Sequence, residues 1–98
     1  MTQDRRIRLD ARYVVRPPFL FRWEASQDAH LLLYPEGIVK LNATGGTILG
    51  FCDGKHTVTE LIAALTARYD STDSDAITNS VLNFLEVSRD KGWIQPEA

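Results

Sequence analysis

The chain has 98 residues, which is enough for one hydrophobic core and too few for two ordinary domains. It is 44% hydrophobic and 24% charged, the composition of a globular protein that needs neither metals nor disulfides to bury a core. The net charge of −2 argues against a nucleic-acid partner, because phosphate binding needs a concentrated basic surface. The longest apolar runs are far shorter than the roughly 18 residues of a membrane span, and the single cysteine cannot form an intramolecular disulfide. We therefore expect a cytoplasmic protein with no membrane segment.

Positive charge is concentrated at the start of the chain. Residues 1–16 contain five arginines against two aspartates. Pro17 and Pro18 follow, and proline disfavours both a helix interior and a central strand. We predict a basic, partly flexible arm over residues 1–16, which is either a solvated tail or a segment that docks to an acidic partner, and one folded domain over residues 17–98.

Three strands are predicted next. Residues 19–24 alternate in polarity, which indicates a strand with Phe19, Phe21 and Trp23 on its buried face. Residues 31–34 are an uninterrupted apolar run, as is typical of a central strand. A turn at Pro35 and Glu36 follows, and a positive φ at Gly37 would complete a bulged hairpin. Residues 38–41 then form an edge strand with unpaired backbone groups, where we expect the N–H of Val39 to be an open donor.

Three helices are predicted after the strands. The first covers residues 42–53 with Asn42 as its N-cap, although its glycines lower its helix propensity. The second begins with a capping box from Thr57 to Glu60 and reaches Tyr69. The third starts near residues 73–75 and ends at Gly92, and its many apolar positions predict a groove along one flank. The order indicates an α+β fold, a three-stranded antiparallel N-terminal sheet followed by a three-helix bundle, and this order also permits a winged-helix-like topology.

No catalytic, cofactor or metal site is predicted from the residues. His30 and His56 have no second ligand or catalytic partner at a recognisable spacing. Cys52 lies near the end of a predicted helix, where the dipole does not favour a thiolate, so it is interpreted as a buried, inert thiol. Asp73 and Asp75 are interpreted as helix-start residues. We therefore expect a binding module rather than an enzyme, in which an extended peptide adds to the open edge of the sheet.

The motif LLLYPEG, from Leu31 to Gly37, is followed by Leu-Asn at 41–42, Cys-Asp-Gly at 52–54 and Thr-Val at 57–58. With these motifs, residues 17–94 resemble the PqqD family of pyrroloquinoline quinone (PQQ) biosynthesis. The resemblance implies a peptide chaperone with a winged-helix-like fold, one of the recognition elements of ribosomal peptide natural-product (RiPP) pathways. Such a chaperone performs no chemistry; it binds the precursor peptide PqqA and presents it to the radical SAM enzyme PqqE.

In this family the leader peptide pairs with the third strand and presses apolar side chains towards the third helix. The resemblance therefore implies a peptide-binding set on these two elements of the chain. Its members are Ile38, Val39, Lys40, Leu41, Ile77, Val81, Phe84, Leu85 and Val87.

Three other functions stay open on the residues alone. A winged-helix nucleic-acid-binding protein would share the hairpin and helices, but it needs basic residues on the presented helix, and residues 57–69 contain only Arg68. Direct binding of the quinone product could use aromatic side chains for stacking. The open edge and the basic arm could also form a weak or arm-swapped homodimer.

Overall fold

The computed structural model describes residues 7–69 and 73–97. Within them the chain is α+β, as predicted, and its strands form two antiparallel three-stranded sheets, β2-β3-β4 and β5-β1-β6. No helix of the described ranges is long and apolar enough to cross a membrane. The elements in chain order are β1 (Arg12–Val15), β2 (Leu20–Glu24), a 3-10 turn (Ala25–Gln27), β3 (Ala29–Tyr34), β4 (Gly37–Lys40), α1 (Ala43–Gly50), β5 (Asp53–Thr57), α2 (Val58–Tyr69), α3 (Ser74–Asp90) and β6 (Ile94–Pro96).

The predicted meander is the β2-β3-β4 sheet, and β3 is its central strand, as expected from its apolar run. The predicted bulge at Gly37 is wrong. Tyr34 pairs directly with Gly37, so a two-residue loop closes the hairpin, and Gly37 is not among the glycines with a positive φ. The two strands are therefore paired up to the turn without a bulged residue.

The second sheet corrects the prediction that the chain before Pro17 lies outside the core. β1 is the central strand of this sheet, and Ile7 and Tyr13 are buried in the core. The carbonyl oxygen of Leu9 accepts hydrogen bonds from Thr59 at the start of α2. Local sequence pattern gave no signal for this because the strands that pair with β1 lie in the second half of the chain. Residues 1–6 of the predicted arm lie outside the described residues.

The helices begin where the capping residues predict. Thr57 and Glu60 form a reciprocal capping box, since the N–H of Thr57 donates to Glu60 Oε1 at 2.8 Å and the N–H of Glu60 donates to Thr57 Oγ1 at 3.1 Å. Asp73 caps α3 by accepting the N–H of Ala76 at 3.0 Å. α1 is shorter than predicted and ends at Gly50, because a tight turn at Phe51 and Cys52 follows, in which their N–H groups donate to the carbonyl oxygens of Ile48 and Leu49. β5 then begins at Asp53, and its second residue, Gly54, has a φ of 80°.

The two faces of the β2-β3-β4 sheet differ in their surroundings. The inner face packs on the helices: Leu32 is fully buried, and Phe21 and Val39 pack against the same core. Trp23 was predicted to be buried on this face, but it is 49% exposed. The opposite face, the outer face, includes the side chains of Leu33 and Ile38, which are paired in the register and lie outside the core cluster.

Candidate functional site

One edge of the β2-β3-β4 sheet is open, because β4 pairs with β3 and with no other strand of the described residues. The N–H of Leu41 donates to the carbonyl oxygen of His30 at 3.0 Å. Antiparallel pairs alternate between hydrogen-bonded and non-hydrogen-bonded. The register therefore makes Val39 a hydrogen-bonded residue of the β3–β4 ladder, and Ile38 and Lys40 non-hydrogen-bonded ones.

This alternation decides which main-chain groups of β4 are open. The N–H and C=O groups of Ile38 and Lys40 point away from β3, and their side chains lie on the outer face. Val39 has the opposite arrangement, with its main chain bonded to β3 and its side chain on the inner face. The expectation that the N–H of Val39 is an open donor is therefore wrong. Leu41 is buried in the core.

The predicted peptide-binding residues of α3 divide into buried and partly exposed side chains. Val81 and Leu85 belong to the buried stripe of α3, and both are 1% exposed or less. Ile77, Phe84 and Val87 are partly exposed and follow each other at helical spacing beside that stripe. We call Ile77, Ser80, Phe84 and Val87 the α3 flank. Its apolar members offer contact area at the surface, whereas Val81 and Leu85 support the helix from the core.

α1 follows β4 in the chain, and its first turn contacts the α3 flank. Gly45 lies in the first turn of α1, and a Cβ atom placed on it would be 3.0 Å from Cε2 of Phe84. Asn42 fixes this turn, because its Oδ1 accepts the N–H of Gly45 at 2.6 Å. The sequence interpretation counted Gly45 only as a cost to helix propensity. The structure gives it a positive role, since the missing side chain lets the Phe84 ring approach α1.

A pocket of about 240 Å³ lies at the N-terminal end of the α3 flank. This volume is below the roughly 300 Å³ at which small-molecule pockets begin, so it suits a single apolar side chain better than a cofactor. Sequence reasoning did not find its lining residues on α1 and α2. The pocket is lined by Thr44, Leu65, Tyr69, Ala76, Ile77, Ser80 and Val81.

The cysteine and the two histidines, which could carry chemistry, have structural roles. Cys52 is buried, and burial, together with the nearby charge of Asp53, raises the pKa of its thiol to about 12. His30 stacks on Phe21 with ring centroids 4.8 Å apart, and His56 Nδ1 lies 3.0 Å from Asp53 Oδ1. Among residues 7–69 and 73–97, no group of three or more His, Cys, Asp or Glu side chains could hold a metal ion. The open edge and the α3 flank thus offer hydrogen bonding and apolar contact.

Comparisons with known proteins agree on one family. The family described as "Coenzyme PQQ synthesis protein D (PqqD)" matches residues 29–94. A protein named PqqA binding protein from Azotobacter vinelandii is 47% identical and covers 83% of this chain and 86% of its own length. Proteins of the same name from Pseudomonas aeruginosa and Methylococcus capsulatus are 42% and 37% identical, over 89% and 81% of this chain and 92% and 82% of their own lengths.

One solved structure has a similar fold. It is the solution NMR structure of the PqqD truncation of Methylobacterium extorquens PqqCD, described as a functional and stand-alone RiPP recognition element. It superposes with a TM-score of 0.70, covers 88% of this chain and 89% of its own, and is 24% identical. At this identity the likeness concerns the fold.

Proposed function

The chain belongs to the PqqD family, and on that premise we propose that it binds the precursor peptide PqqA and presents it to the radical SAM enzyme PqqE in PQQ biosynthesis. We propose further that the peptide binds as an added strand on the open edge of β4, within a winged-helix-like arrangement of hairpin and helices. The observation that carries this proposal is the alternation along β4, which leaves the main-chain groups of Ile38 and Lys40 without partners in the sheet.

A guest strand on this edge would use the predicted residues in three different ways. Ile38 and Lys40 would bind it through their main chains. Val39 and the apolar residues of the α3 flank would contact its inward side chains, and the pocket beside Ile77 would receive one of them. The buried residues of the predicted set would hold these surfaces in place from the core. They are Leu41, Val81 and Leu85.

The energetics suit a peptide that must later be handed over. Four edge hydrogen bonds contribute about 0.5 to 1.5 kcal/mol each, and two or three buried apolar side chains contribute about 1.5 to 3 kcal/mol each. Ordering a flexible peptide costs about 2 to 5 kcal/mol or more, and the loss of translational and rotational freedom reduces the balance further. The outcome is moderate affinity with ready release.

A titration of isotope-labelled protein with PqqA tests the proposal. The amides of Ile38 and Lys40 should shift and become protected from hydrogen exchange, because they gain partners, and the methyl groups of Ile77 and Val87 should shift. The other edge of the sheet supplies an internal control. There, the register leaves the main-chain groups of Phe21 and Trp23 open on β2, and these should not gain protection. New protection at β2 and none at β4 would refute the proposed edge.

A further inference from the structure

The outer face of the β2-β3-β4 sheet carries an apolar row that the core does not use. The register places Leu20 opposite Leu33 and Leu33 opposite Ile38, so these side chains cross all three strands side by side. We call them the outer row. Leu20 is 65% exposed and Ile38 is 62% exposed. Pro18 and Pro35 continue the apolar surface beyond Leu20 and Leu33, around a depression of about 280 Å³.

The next row on the same face is basic at both ends. Arg22 pairs with Leu31, and Leu31 pairs with Lys40, so two cations flank a buried leucine. Arg22 has an electrostatic interaction with Glu24, two residues along β2, but neither Arg22 nor Lys40 forms a direct ion pair with another described residue. An apolar surface with two cations beside it, neither of them in a direct ion pair, is complementary to an apolar surface rimmed by carboxylates.

The size of this face favours a transient partner over a second copy of the chain. Three strands and about five residues per strand span roughly 14 by 17 Å. A stable interface buries roughly 800 Å² on each partner, which is several times this plan area. The outer face is therefore too small to hold a dimer by itself, but it suits a partner that gains further contacts from something bound beside it.

A bound peptide would supply those further contacts. A guest strand on β4 extends the sheet, and alternate side chains of that strand would lie on the outer face beside Ile38 and Lys40. Its other side chains would face the helices and be covered by them. A partner seated on the outer row would thus meet the half of the guest that remains accessible.

From this placement we infer that the outer face, centred on Leu20, Leu33 and Ile38 with Arg22 and Lys40 at its margin, docks the enzyme that modifies the bound peptide, through an apolar surface of that enzyme rimmed by carboxylates. The inference rests on the proposed function, because it takes PqqE as that enzyme. The two faces of the β2-β3-β4 sheet then have different roles. The inner side anchors the peptide, and the outer face holds the enzyme against it.

The experiment compares Leu20→Glu and Arg22→Glu with a matched control, Leu9→Glu. Leu9 is also exposed, at 51%, and lies outside this sheet. Calorimetry would measure PqqE affinity with and without PqqA, and PqqA affinity alone. Both outer-face variants should bind PqqE about tenfold or more weakly, which is the size of a typical interface hot spot. Their PqqA affinity should stay within about twofold, as for ordinary surface substitutions, and the control should change neither affinity.

The outcomes separate this inference from the proposed function. Unchanged PqqE affinity in both outer-face variants, with native circular dichroism, overturns the inference. A wild-type dimer that Leu20→Glu dissociates without changing PqqE affinity also overturns it, because the face then belongs to a second copy. Loss of PqqE binding in these variants, together with a wild-type protein that does not bind PqqA, supports the docking surface and refutes the proposed peptide binding.

Discussion

The ring of Phe84 lies against Gly45, so that a Cβ atom on Gly45 would be 3.0 Å from Cε2 of Phe84. We expect Gly45→Ala to displace this ring, because nine in ten real Cβ contacts are longer than this. The same Cβ atom would also be 3.0 Å from Oδ1 of Asn42, the N-cap of α1. The substitution gains up to about 1 kcal/mol of helix propensity, which offsets these close contacts, so the free energy of unfolding should change little. PqqA affinity should fall several-fold in calorimetry, since Phe84 belongs to the α3 flank.

Gly50→Ala is the matched control for that variant. It lies in the same helix, and a Cβ atom there would have nothing within 4 Å. We expect it to raise the free energy of unfolding by about 0.5 to 1 kcal/mol in denaturant titration and to leave PqqA affinity unchanged. Equal effects of the two alanines on binding would contradict a role for the Gly45–Phe84 contact.

The alternation along β4 predicts different effects for proline at neighbouring positions. Lys40→Pro removes an N–H that β3 does not use, and proline is tolerated at such an edge position. The fold should persist, as judged by circular dichroism. PqqA affinity should fall about tenfold or more, because a hydrogen bond is lost and a carbonyl of the guest is left unpaired.

Two comparison variants separate the main chain from the side chain. Lys40→Ala removes the same side chain but keeps the N–H, so its PqqA affinity should stay near that of the wild type. Val39→Pro breaks a ladder bond to β3 and should lower the melting temperature markedly. If Lys40→Ala weakened binding as much as Lys40→Pro, the lysine side chain rather than the open edge would be responsible.

The position of β1 predicts that removal of residues 1–16 destabilises the whole domain. β1 pairs with both β5 and β6, and Tyr13 is buried at 5% exposure. Tyr13→Ala alone should cost about 3 to 5 kcal/mol, a large part of the roughly 5 to 15 kcal/mol that holds a domain together. Thermal unfolding would measure the stability of the truncated chain and of Tyr13→Ala. Leu9→Ala is an exposed control, which should change the free energy of unfolding by less than about 0.5 kcal/mol. A truncated chain that unfolds like the wild type would contradict this prediction.

Burial of Cys52 predicts a protected thiol and a loss of stability in alkali. Its pKa of about 12 lies above its ordinary value of 9.0, so the folded state favours the neutral thiol. The contribution of this neutral thiol to the free energy of unfolding is fully present below pH 9 and is lost as the pH rises from 9 towards 12. Iodoacetamide should label the native protein very slowly at neutral pH and the denatured protein completely. Rapid labelling under native conditions would contradict the buried position.

Stability between pH 9 and 11 provides a second test of the same thiol. Cys52→Ala should show a shallower decline in the free energy of unfolding over this range than the wild type, because the alanine has no proton to lose. Denaturant titrations at several pH values would measure the difference. Parallel declines in the two proteins would assign the alkaline loss to other groups.

The sequence predicted those parts of the fold whose signals are local. The apolar run at 31–34 identified the central strand β3, and the Thr57–Glu60 capping box placed the start of α2. β1, β5 and β6 were missed. Each is short, and each is stabilised by partners that are distant in the sequence, so neither alternation nor turn residues marked them.

The candidate site was predictable in its elements but not in the roles of its residues. The pattern identified an edge strand and an apolar helix flank, because both depend on periodicity along one element. Whether Val39 or Lys40 has an open N–H depends on which residue of β4 bonds to β3. That was fixed by the bond between Leu41 and His30, which no local pattern encodes. The role of Gly45 likewise depends on a side chain from another helix.

The short open edge has a consequence for how a guest would be aligned. On the β4 edge, Ile38 and Lys40 are the only described residues whose main-chain groups have no partner in the sheet. A guest moved along β4 by two residues would therefore make the same hydrogen bonds with the same facing of its side chains. The main-chain hydrogen bonds would therefore hold the guest strand without fixing its register. Correct alignment would have to come from the guest side chain that enters the pocket beside Ile77, because only that contact depends on which residue of the guest is present.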